Sequence, residues 1–193
     1  FRSWVRQLLR AGTIRHAVVC AGNHETSLTL KARHAAVQRA QQAMKDELAA
    51  EPGVTYIEDS ACEVLGLRFY GSPWTVPCGR DWAFQEPDTE AGLARRFGAI
   101  PSDGIDVLIT HQPPLGIGDN GGVGHRGSTT LLQRLEALPT PPLLHVFGHI
   151  HAGHGVHTHA PLPATTFVNA AVCDDEYRPV QKPVLVSLQP APS

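Results

Sequence analysis

The chain has 193 residues, a formal net charge of −2 and a hydrophobic fraction of 42%. This length fits one domain of ordinary size, and the hydrophobic fraction is sufficient for a real core. A nucleic-acid binder would need a basic excess, and the scattered Lys and Arg here exclude a broad polyanion track. No segment is long and apolar enough to span a bilayer, so we expect no membrane partner.

The cysteines argue against a thiolate metal site. The four of them, Cys20, Cys62, Cys78 and Cys173, form no C-x-x-C pair. Cys20 lies within an apolar run and is expected to behave as a small buried hydrophobe. We therefore expect a reduced, cytoplasmic protein, and an extracellular protein with two disulfides is the alternative.

The first half of the chain opens with a helix and ends with a hairpin. Apolar residues at helical spacing predict a helix over 1–9, and a polar, Ala-rich and Gln-rich stretch predicts a longer one over 27–50. Short apolar runs predict strands at 17–21 and 54–57 and a hairpin formed by 62–64 and 67–70.

The second half continues the alternation of strands and helices. We predict a packed aromatic loop at 71–87, helices at 91–97 and 128–138, a Gly-rich loop at 116–127, and strands at 106–110, 143–147, 165–171 and 183–188. Ser128 or Thr129 is the expected N-cap of the second of these helices.

The strands are apolar on both faces and alternate with helices. This pattern indicates an α/β fold with a largely parallel or mixed sheet. In such sheets ligands bind beyond the carboxyl ends of the strands. No internal repeat or linker divides the chain, so we expect one domain.

A pair of histidines, His149 and His151, follows the apolar run that ends at Phe147. In extended backbone such residues point to the same side, about 6.5–7 Å apart at the Cα atoms. Each imidazole can then hold one of two metals that lie about 3.5–4 Å apart. The alternative is a solvated pair in a His-rich loop, because three more histidines follow before residue 160.

A second group, Gly22-Asn23-His24-Glu25, follows another apolar run. Asn23 offers a neutral carbonyl oxygen to a cation. His24 is too close in sequence to share that cation easily, so donating a proton to a leaving oxygen suits it better. Glu25 is expected to orient a neighbouring group. A tight turn capped by Asn23 is the structural alternative.

A third group centres on His111, which follows a predicted buried strand and precedes Pro113 and Pro114. The prolines restrict the backbone and hold the side chain in place. The alternative is a histidine packed under a loop. Because all three groups combine a strand end with metal-ligand chemistry, we expect them to form one site.

Other side chains are weaker candidates. His125 and Arg126 lie in the Gly-rich loop and could bind a phosphate, although a solvent-exposed pair is equally expected. Trp74 and Trp82 could line a base pocket, but core packing is the preferred interpretation.

The chain resembles the calcineurin-like metallophosphoesterases. Their blocks are Asp-x-His, Gly-Asp, Gly-Asn-His-Glu or -Asp, a strand-terminal His, and Gly-His-x-His. The last three match at 22–25, His111 and 148–151. Further stretches resemble the metallophosphoesterase-domain-containing (MPPED-type) subgroup: Tyr70-Gly71-Ser72-Pro73-Trp74, Trp82-Ala83-Phe84, Thr110-His111 with Pro113-Pro114, and Phe167-Val168-Asn169-Ala170.

The resemblance implies roles for these residues. Asn23, His111 and His149 would bind the second of two divalent metals, which would be Mn, Fe or Zn, and His151 would bind the first. A metal-bridging hydroxide would attack phosphorus, and His24 would protonate the leaving group. The implied fold is a sandwich of two mixed β-sheets flanked by helices.

The chain also departs from the family pattern. The Asp-x-His and Gly-Asp blocks are absent, and the residues before Gly22 contain no Asp and one histidine, His16. We therefore expect a single calcineurin-like phosphoesterase domain over 1–193 that is N-terminally incomplete and lacks its first strand. Gln112 stands where the subgroup usually has Gly, which is expected to stiffen that loop.

The predicted function is a metal-dependent phosphoesterase hydrolase. Its substrate is expected to be a small phosphoester or nucleotide, with phosphodiesters such as cyclic nucleotides preferred on the subgroup resemblance. The alternative is a catalytically impaired nucleotide-binding or scaffold protein of the same fold. A third hypothesis is a metal-sequestering protein that uses the histidines of 145–159.

Overall fold

The computed structural model describes residues 2–28, 35–79, 82–122 and 124–189. Its helices are α1 (Arg2–Arg10), α2 (Ala35–Ala49), α3 (Leu93–Gly98) and α4 (Thr129–Glu136). Its strands are β1 (Ala17–Cys20), β2 (Val54–Ile57), β3 (Ser60–Val64), β4 (Leu67–Ser72), β5 (Val107–Thr110), β6 (Leu144–Phe147), β7 (Gly155–His157) and β8 (Thr166–Asn169).

The strands form two sheets. Six of them line up in the order β3-β4-β5-β6-β8-β7, and β1 pairs with β2 in a separate parallel sheet. The pairs β4–β5, β5–β6 and β6–β8 are parallel, whereas β3 and β7 add at the two edges as antiparallel strands. The predicted α/β class with two sheets, one of them mixed, is therefore confirmed. The parallel centre brings the carboxyl ends of β4, β5, β6 and β8 to one edge.

The large sheet is covered on both faces, as parallel sheets require. Alternate residues of β5 show this, because Leu108 belongs to the main core while Val107 and Ile109 belong to a smaller cluster on the opposite face. The main core also contains buried side chains of α3 and α4, such as Phe97 and Leu131.

All four cysteines are free thiols. Within the described residues, no helix has the length and apolar character needed to cross a membrane.

Most predicted elements lie where the sequence places them. The 62–70 hairpin turns on Leu65 and Gly66, whose φ angles are +54° and +78°. Two consecutive positive φ angles favour the twist of a tight hairpin. Ser128 is the N-cap of α4, and its side chain accepts a hydrogen bond from the Leu131 amide. The helix predicted over 27–50 is observed as α2 from Ala35 to Ala49, and residues 29–34 lie outside the described residues.

The strand predicted over 183–188 is wrong. This segment has no regular structure, and its apolar pattern is explained by packing: Val184 and Leu188 contact the smaller core cluster while Leu185 is 94% exposed. Conversely, β7 was not predicted. Its three residues, Gly-Val-His, carry too little apolar signal, and the strand exists because it pairs with β8.

A histidine is buried completely in the centre of the large sheet. His145 on β6 is 0% exposed and packs against the rings of Phe147 and Phe167. The Thr110 hydroxyl donates to the Gln112 carbonyl, so its oxygen accepts from Nε2–H of His145 at 2.8 Å. Nδ1 of His145 then has no partner among the described residues. Burial lowers the pKa of His145 from 6.5 to about 3, and the ring is neutral at pH 7.

This histidine should make folding stability depend on pH. The unfolded chain binds a proton at this side chain below about pH 6.5, whereas the folded chain binds it only near pH 3. Between these values the unfolded state binds more protons, so lowering the pH favours unfolding. We expect His145 to account for about 2 kcal/mol of lost unfolding free energy between pH 7 and pH 5.

Urea denaturation of His145→Gln at the two pH values, with bound metal removed, tests this expectation. The loss of stability on acidification should be smaller in the variant by that amount. Phe167→Leu is the control, because it loosens the same packing without removing a titrating group. Equal acid destabilisation of His145→Gln and the wild type would contradict the prediction.

Candidate metal centre

Four loops and one later segment, Ala171–Tyr177, meet at one edge of the molecule. They follow β1, β4, β5, β6 and β8 and line a cavity of about 350 Å³. The cavity is lined by Asn23, His24, Trp82, His111, Gly121, Arg126, His149, Ile150, His151, Ala171, Val172, Cys173, Asp175 and Tyr177. All five residues predicted to act in metal binding or proton transfer are in this set. His111, His149 and His151 come together because β5 and β6 are neighbouring parallel strands of the large sheet, whereas Asn23 and His24 reach the same place from the end of β1 in the smaller sheet.

Asn23 and His111 place donor atoms side by side although 88 residues separate them. Nε2–H of His111 donates a hydrogen bond to Oδ1 of Asn23 at 2.7 Å. The amide nitrogen of Asn23 donates to Sγ of Cys78 at 3.3 Å, which turns the amide oxygen towards the histidine. Asn23 is 1% exposed, so this orientation is held by its surroundings.

The turn that carries Asn23 is built by its neighbours. Glu25 accepts the Gly22 amide through Oε2 at 2.5 Å, which is the orienting role expected of this side chain. Gly22 has no room for a side chain, because a Cβ there would lie 2.4 Å from Nδ1 of His111. The ring of His111 therefore packs directly on the backbone before Asn23.

The two inner histidines are held in their neutral forms. Desolvation lowers the pKa of His111 to about 3, with further lowering by the nearby imidazoles of His149, His24 and His151. Desolvation, with the nearby imidazoles of His151 and His24, lowers the pKa of His149 to about 4. The two rings lie 4.7 Å apart between centroids. Neutral imidazole is the form that binds metal ions, so neither ring would have to lose a second proton. His111 would bind a cation through Nε2 as the tautomer that carries its proton on Nδ1.

The backbone of the His149 loop differs from the extended geometry predicted for it. The Ile150 amide donates to the Gly148 carbonyl at 2.7 Å, and His149 between them has φ +67°. This is a γ-turn, which is strained for a residue with a side chain. His151 then begins a short 3-10 turn. The expectation that both imidazoles lie on one face of an extended strand is therefore wrong. The directions of the two side chains are set by the tight turn, and both side chains line the cavity.

The tautomer of His151 follows from its partner. Nδ1 lies 2.7 Å from the backbone oxygen of Asp174, so it carries the proton and donates. Nε2 is then an acceptor available to a cation. Asn169, at the end of β8, supports the same loop because its amide donates to the carbonyls of Ile150 and Gly118.

The donor set is suited to one divalent cation. An amide oxygen from Asn23 with imidazoles from His111 and His149 suits borderline metals such as Mn, Fe or Zn. His151 adds a single donor beside them. In the part of the chain that the structure describes, no group of three or more His, Cys, Asp or Glu could hold a metal. His111, His149 and His151 therefore do not form such a group by themselves, and a metal at this place would also need the amide oxygen of Asn23.

The weaker candidates separate in the structure. Arg126 lines the cavity, but His125 is not among the lining residues. Nδ1 of His125 pairs with the buried carboxylate of Asp119 at 2.7 Å, and that carboxylate also accepts the amides of Gly116 and Gly127. The His125–Asp119 pair organises the Gly-rich loop, and His125 lies outside the cavity with 58% of its side chain exposed. Of the two interpretations of His125, this favours a solvent-exposed residue over a phosphate ligand.

Gln112 is completely buried, which the sequence did not indicate. Its Oε1 accepts the Val76 amide and the Thr75 hydroxyl, and its Nε2 donates to the Arg126 carbonyl at 2.8 Å. The side chain thus ties the loop after β4 to the backbone of Arg126. The expected stiffening of this region has a direct physical basis in these bonds.

The positions of two aromatic residues, Trp82 and Tyr177, differ from what the sequence indicated. Trp74 packs in the core with the Arg96 guanidinium over its ring, as expected. Trp82 instead lies against the His24 ring with centroids 4.4 Å apart and lines the cavity. Tyr177 was not singled out from the sequence. The signal for it was its place shortly after the predicted strand 165–171, at the same edge as the other groups.

Comparisons with known proteins agree with this geometry. No family model matches the chain. It is 42% identical over 135 residues to Metallophosphoesterase domain-containing protein 1 of Homo sapiens. The aligned region covers 69% of this chain and 39% of the human protein. It is 34% identical over 189 residues to a UPF0046 protein of Caenorhabditis elegans, covering 90% and 62% of the two chains. The chain thus spans only about two to three fifths of these relatives.

A solved crystal structure also has the same fold. It superimposes with a TM-score of 0.58 over 88% of this chain and 62% of the other chain. The sequences are 16% identical, so this likeness supports the fold alone.

Proposed function

Because the chain belongs to the metallophosphoesterase-domain-containing (MPPED-type) family, we propose that it is a metal-dependent phosphodiesterase that acts on small substrates such as cyclic nucleotides. The observation that carries the proposal is the convergence of Asn23 Oδ1 and His111 Nε2, 2.7 Å apart, with a neutral His149 beside them. These are donors of the kind that a divalent cation takes in hydrolases.

The proposal gives each residue of the site a task. Asn23, His111 and His149 would hold one divalent ion and His151 would contribute to a second, the ions being Mn, Fe or Zn. When bound, the ions supply Lewis-acid activation of water and of the phosphoryl group.

The remaining chemistry belongs to the chain itself. The exposed position of His24 at the cavity, against Trp82, suits proton donation to the leaving oxygen. Arg126 lines the same cavity and suits binding of a non-bridging phosphate oxygen. Gln112 positions Arg126 by holding its carbonyl.

Hydrolysis of bis(p-nitrophenyl) phosphate by the full-length natural protein tests the proposal. We expect activity with Mn²⁺ that disappears with a chelator and returns with added metal. A folded, metal-loaded protein without hydrolysis of this or a cyclic-nucleotide substrate would overturn it.

One observation favours a second candidate, a nucleotide-binding protein without catalysis. Among the described cavity residues, Asp175 is the one carboxylate, so the ligand set lacks a bridging acidic group. Tight nucleotide binding without turnover by the full-length protein would support this candidate. A metal-sequestering role has less support, since His145 is in the core, His157 bonds to the Gly153 carbonyl and His159 pairs with Glu136.

Gly22 offers a test of the site that leaves every proposed ligand in place. Gly22→Ala should push the His111 ring away from Asn23, because the new Cβ would lie 2.4 Å from its Nδ1. We expect Mn²⁺ affinity to fall at least about tenfold, in the range that loss of an outer-shell contact costs. Titration calorimetry measures this.

Gly98→Ala is the matched control for that experiment. Gly98 ends α3 and has no atom within 4 Å of a built Cβ, so the added methyl meets nothing. Metal affinity in this variant should equal that of the wild type. Unchanged metal affinity in Gly22→Ala would show that the close packing of Gly22 on His111 does not position a ligand.

A further inference from the structure

Two aromatic rings line the cavity beside the imidazoles. Trp82 lies 4.4 Å from His24, and Tyr177 lies 6.1 Å from His24 and 5.2 Å from His151, all between ring centroids. The two aromatic side chains come from distant parts of the chain, one after β4 and the other after β8. Each ring contacts the imidazole of His24, the proposed proton donor.

The position of Tyr177 is built by the structure around it. Its amide donates to the carbonyl of Asp174, the same oxygen that accepts Nδ1 of His151. The Asp174 carboxylate in turn accepts the backbone amide and Nε of Arg178. Tyr177 has φ +61°, a conformation that is costly for a bulky side chain and persists only when its surroundings enforce it.

Tyr177 is held in place without being buried. It is 60% exposed, although its ring touches two imidazoles and lines the cavity. A tyrosine used only for core packing would be covered on most of its surface. Trp82 has a more fixed position, because its indole packs on Gly79, where a Cβ would come within 3.0–3.4 Å of the ring.

The polar and apolar parts of the cavity point to one class of ligand. Arg126 and four histidines surround the space with cationic or neutral groups, and Asp175 is the acidic residue among the described lining residues. The part of the cavity lined by Arg126 and the histidines therefore suits binding of a phosphate group. The indole and phenol rings offer flat apolar faces, and base–aromatic stacking is a common means of binding a planar ring.

We propose that Trp82 and Tyr177 stack on a planar aromatic ring in the organic group of the phosphoester, while Arg126 and the imidazole side bind its phosphate. The proposal rests on the proposed phosphoesterase function and narrows its substrates to aromatic phosphoesters. A nucleobase and a phenyl ring share this chemistry. Tyr177 is thus assigned a part in substrate selection.

Titration calorimetry of the full-length, Mn²⁺-loaded protein tests the proposal with three probes: adenosine 5′-monophosphate, phenyl phosphate and ribose 5-phosphate. The wild type should bind the aromatic probes more tightly than ribose 5-phosphate. Tyr177→Leu should weaken binding of the aromatic probes about 5- to 150-fold and leave ribose 5-phosphate unchanged, because leucine keeps apolar bulk but cannot stack.

Two variants serve as controls. Tyr177→Phe retains the ring and should bind all three probes like the wild type. Trp4→Ala removes an aromatic side chain of the same 60% exposure on α1, outside the cavity, and should change nothing. Thermal unfolding of each variant checks that the fold is intact.

The outcomes separate the two proposals. A loss for both aromatic probes supports general ring stacking, and a loss for the nucleotide alone supports a nucleobase. Equal weakening of all three probes in Tyr177→Leu would mean that Tyr177 acts only by supporting the loop, and equal wild-type affinities would mean that no ring is recognised. Either overturns the stacking proposal, and so does a failure to bind any probe. Hydrolysis of bis(p-nitrophenyl) phosphate by the same preparation shows independently whether the phosphoesterase proposal stands.

Discussion

Replacing His24 with alanine is expected to lower kcat by about two to four orders of magnitude for a phosphodiester with an alkoxide leaving group. The exposed imidazole lies at the cavity against Trp82, where it can reach a leaving oxygen. The KM should change little, because the proton is transferred only in the transition state. Steady-state kinetics with 2′,3′-cyclic AMP measures both constants.

The leaving group makes this experiment specific for proton transfer. p-Nitrophenolate leaves readily without a proton, so the kcat defect of His24→Ala should be much smaller with bis(p-nitrophenyl) phosphate. His159→Ala is the control, since that histidine pairs with Glu136 away from the cavity. An equal defect with both substrates would assign His24 to binding or packing, and an unchanged kcat would remove it from the reaction.

Replacing His111 with alanine is expected to remove most of the metal affinity. Its Nε2 lies 2.7 Å from Asn23 Oδ1, and its lowered pKa, about 3, keeps the ring neutral and able to bind a cation. Loss of an outer-shell partner typically costs about 10–100-fold in metal affinity, and loss of a direct ligand should exceed this. Metal content after dialysis and Mn²⁺ titration would measure the change.

His145 provides an unusually close control for this variant. It is also a histidine whose pKa burial lowers to about 3, but it lies in the sheet core and does not line the cavity. His145→Gln should change stability and leave Mn²⁺ affinity intact. If both variants lost affinity equally, or if His111→Ala kept it, His111 would not be a metal ligand.

The location of the site could be predicted from local sequence. Each of the groups at Asn23, His111 and His149 follows an apolar run; the carboxyl ends of β5 and β6 share one edge of the large sheet, and the end of β1 in the smaller sheet meets them there. The 62–70 hairpin and the Ser128 N-cap were predictable for a similar reason. Their signals reside in a few consecutive residues whose backbone preferences act locally.

The tertiary structure decided how the side chains at that edge are used. Asp119 pairs with His125 outside the cavity, and Gln112 holds the Arg126 backbone through bonds to distant loops. The His149 γ-turn and the place of Tyr177 beside His151 depend likewise on partners far along the chain.

The same division separates the elements that were predicted from those that were not. β7 exists because β8 pairs with it, whereas the apolar residues of 183–188 pack on the sheet without joining it. The sequence by itself determined which residues end the strands and carry metal-binding chemistry, because hydrophobic periodicity and turn residues are local properties. Only the tertiary structure decided which strands pair, where side chains point and that Trp82 and Tyr177 lie beside His24. These features depend on contacts between residues that are far apart in the sequence.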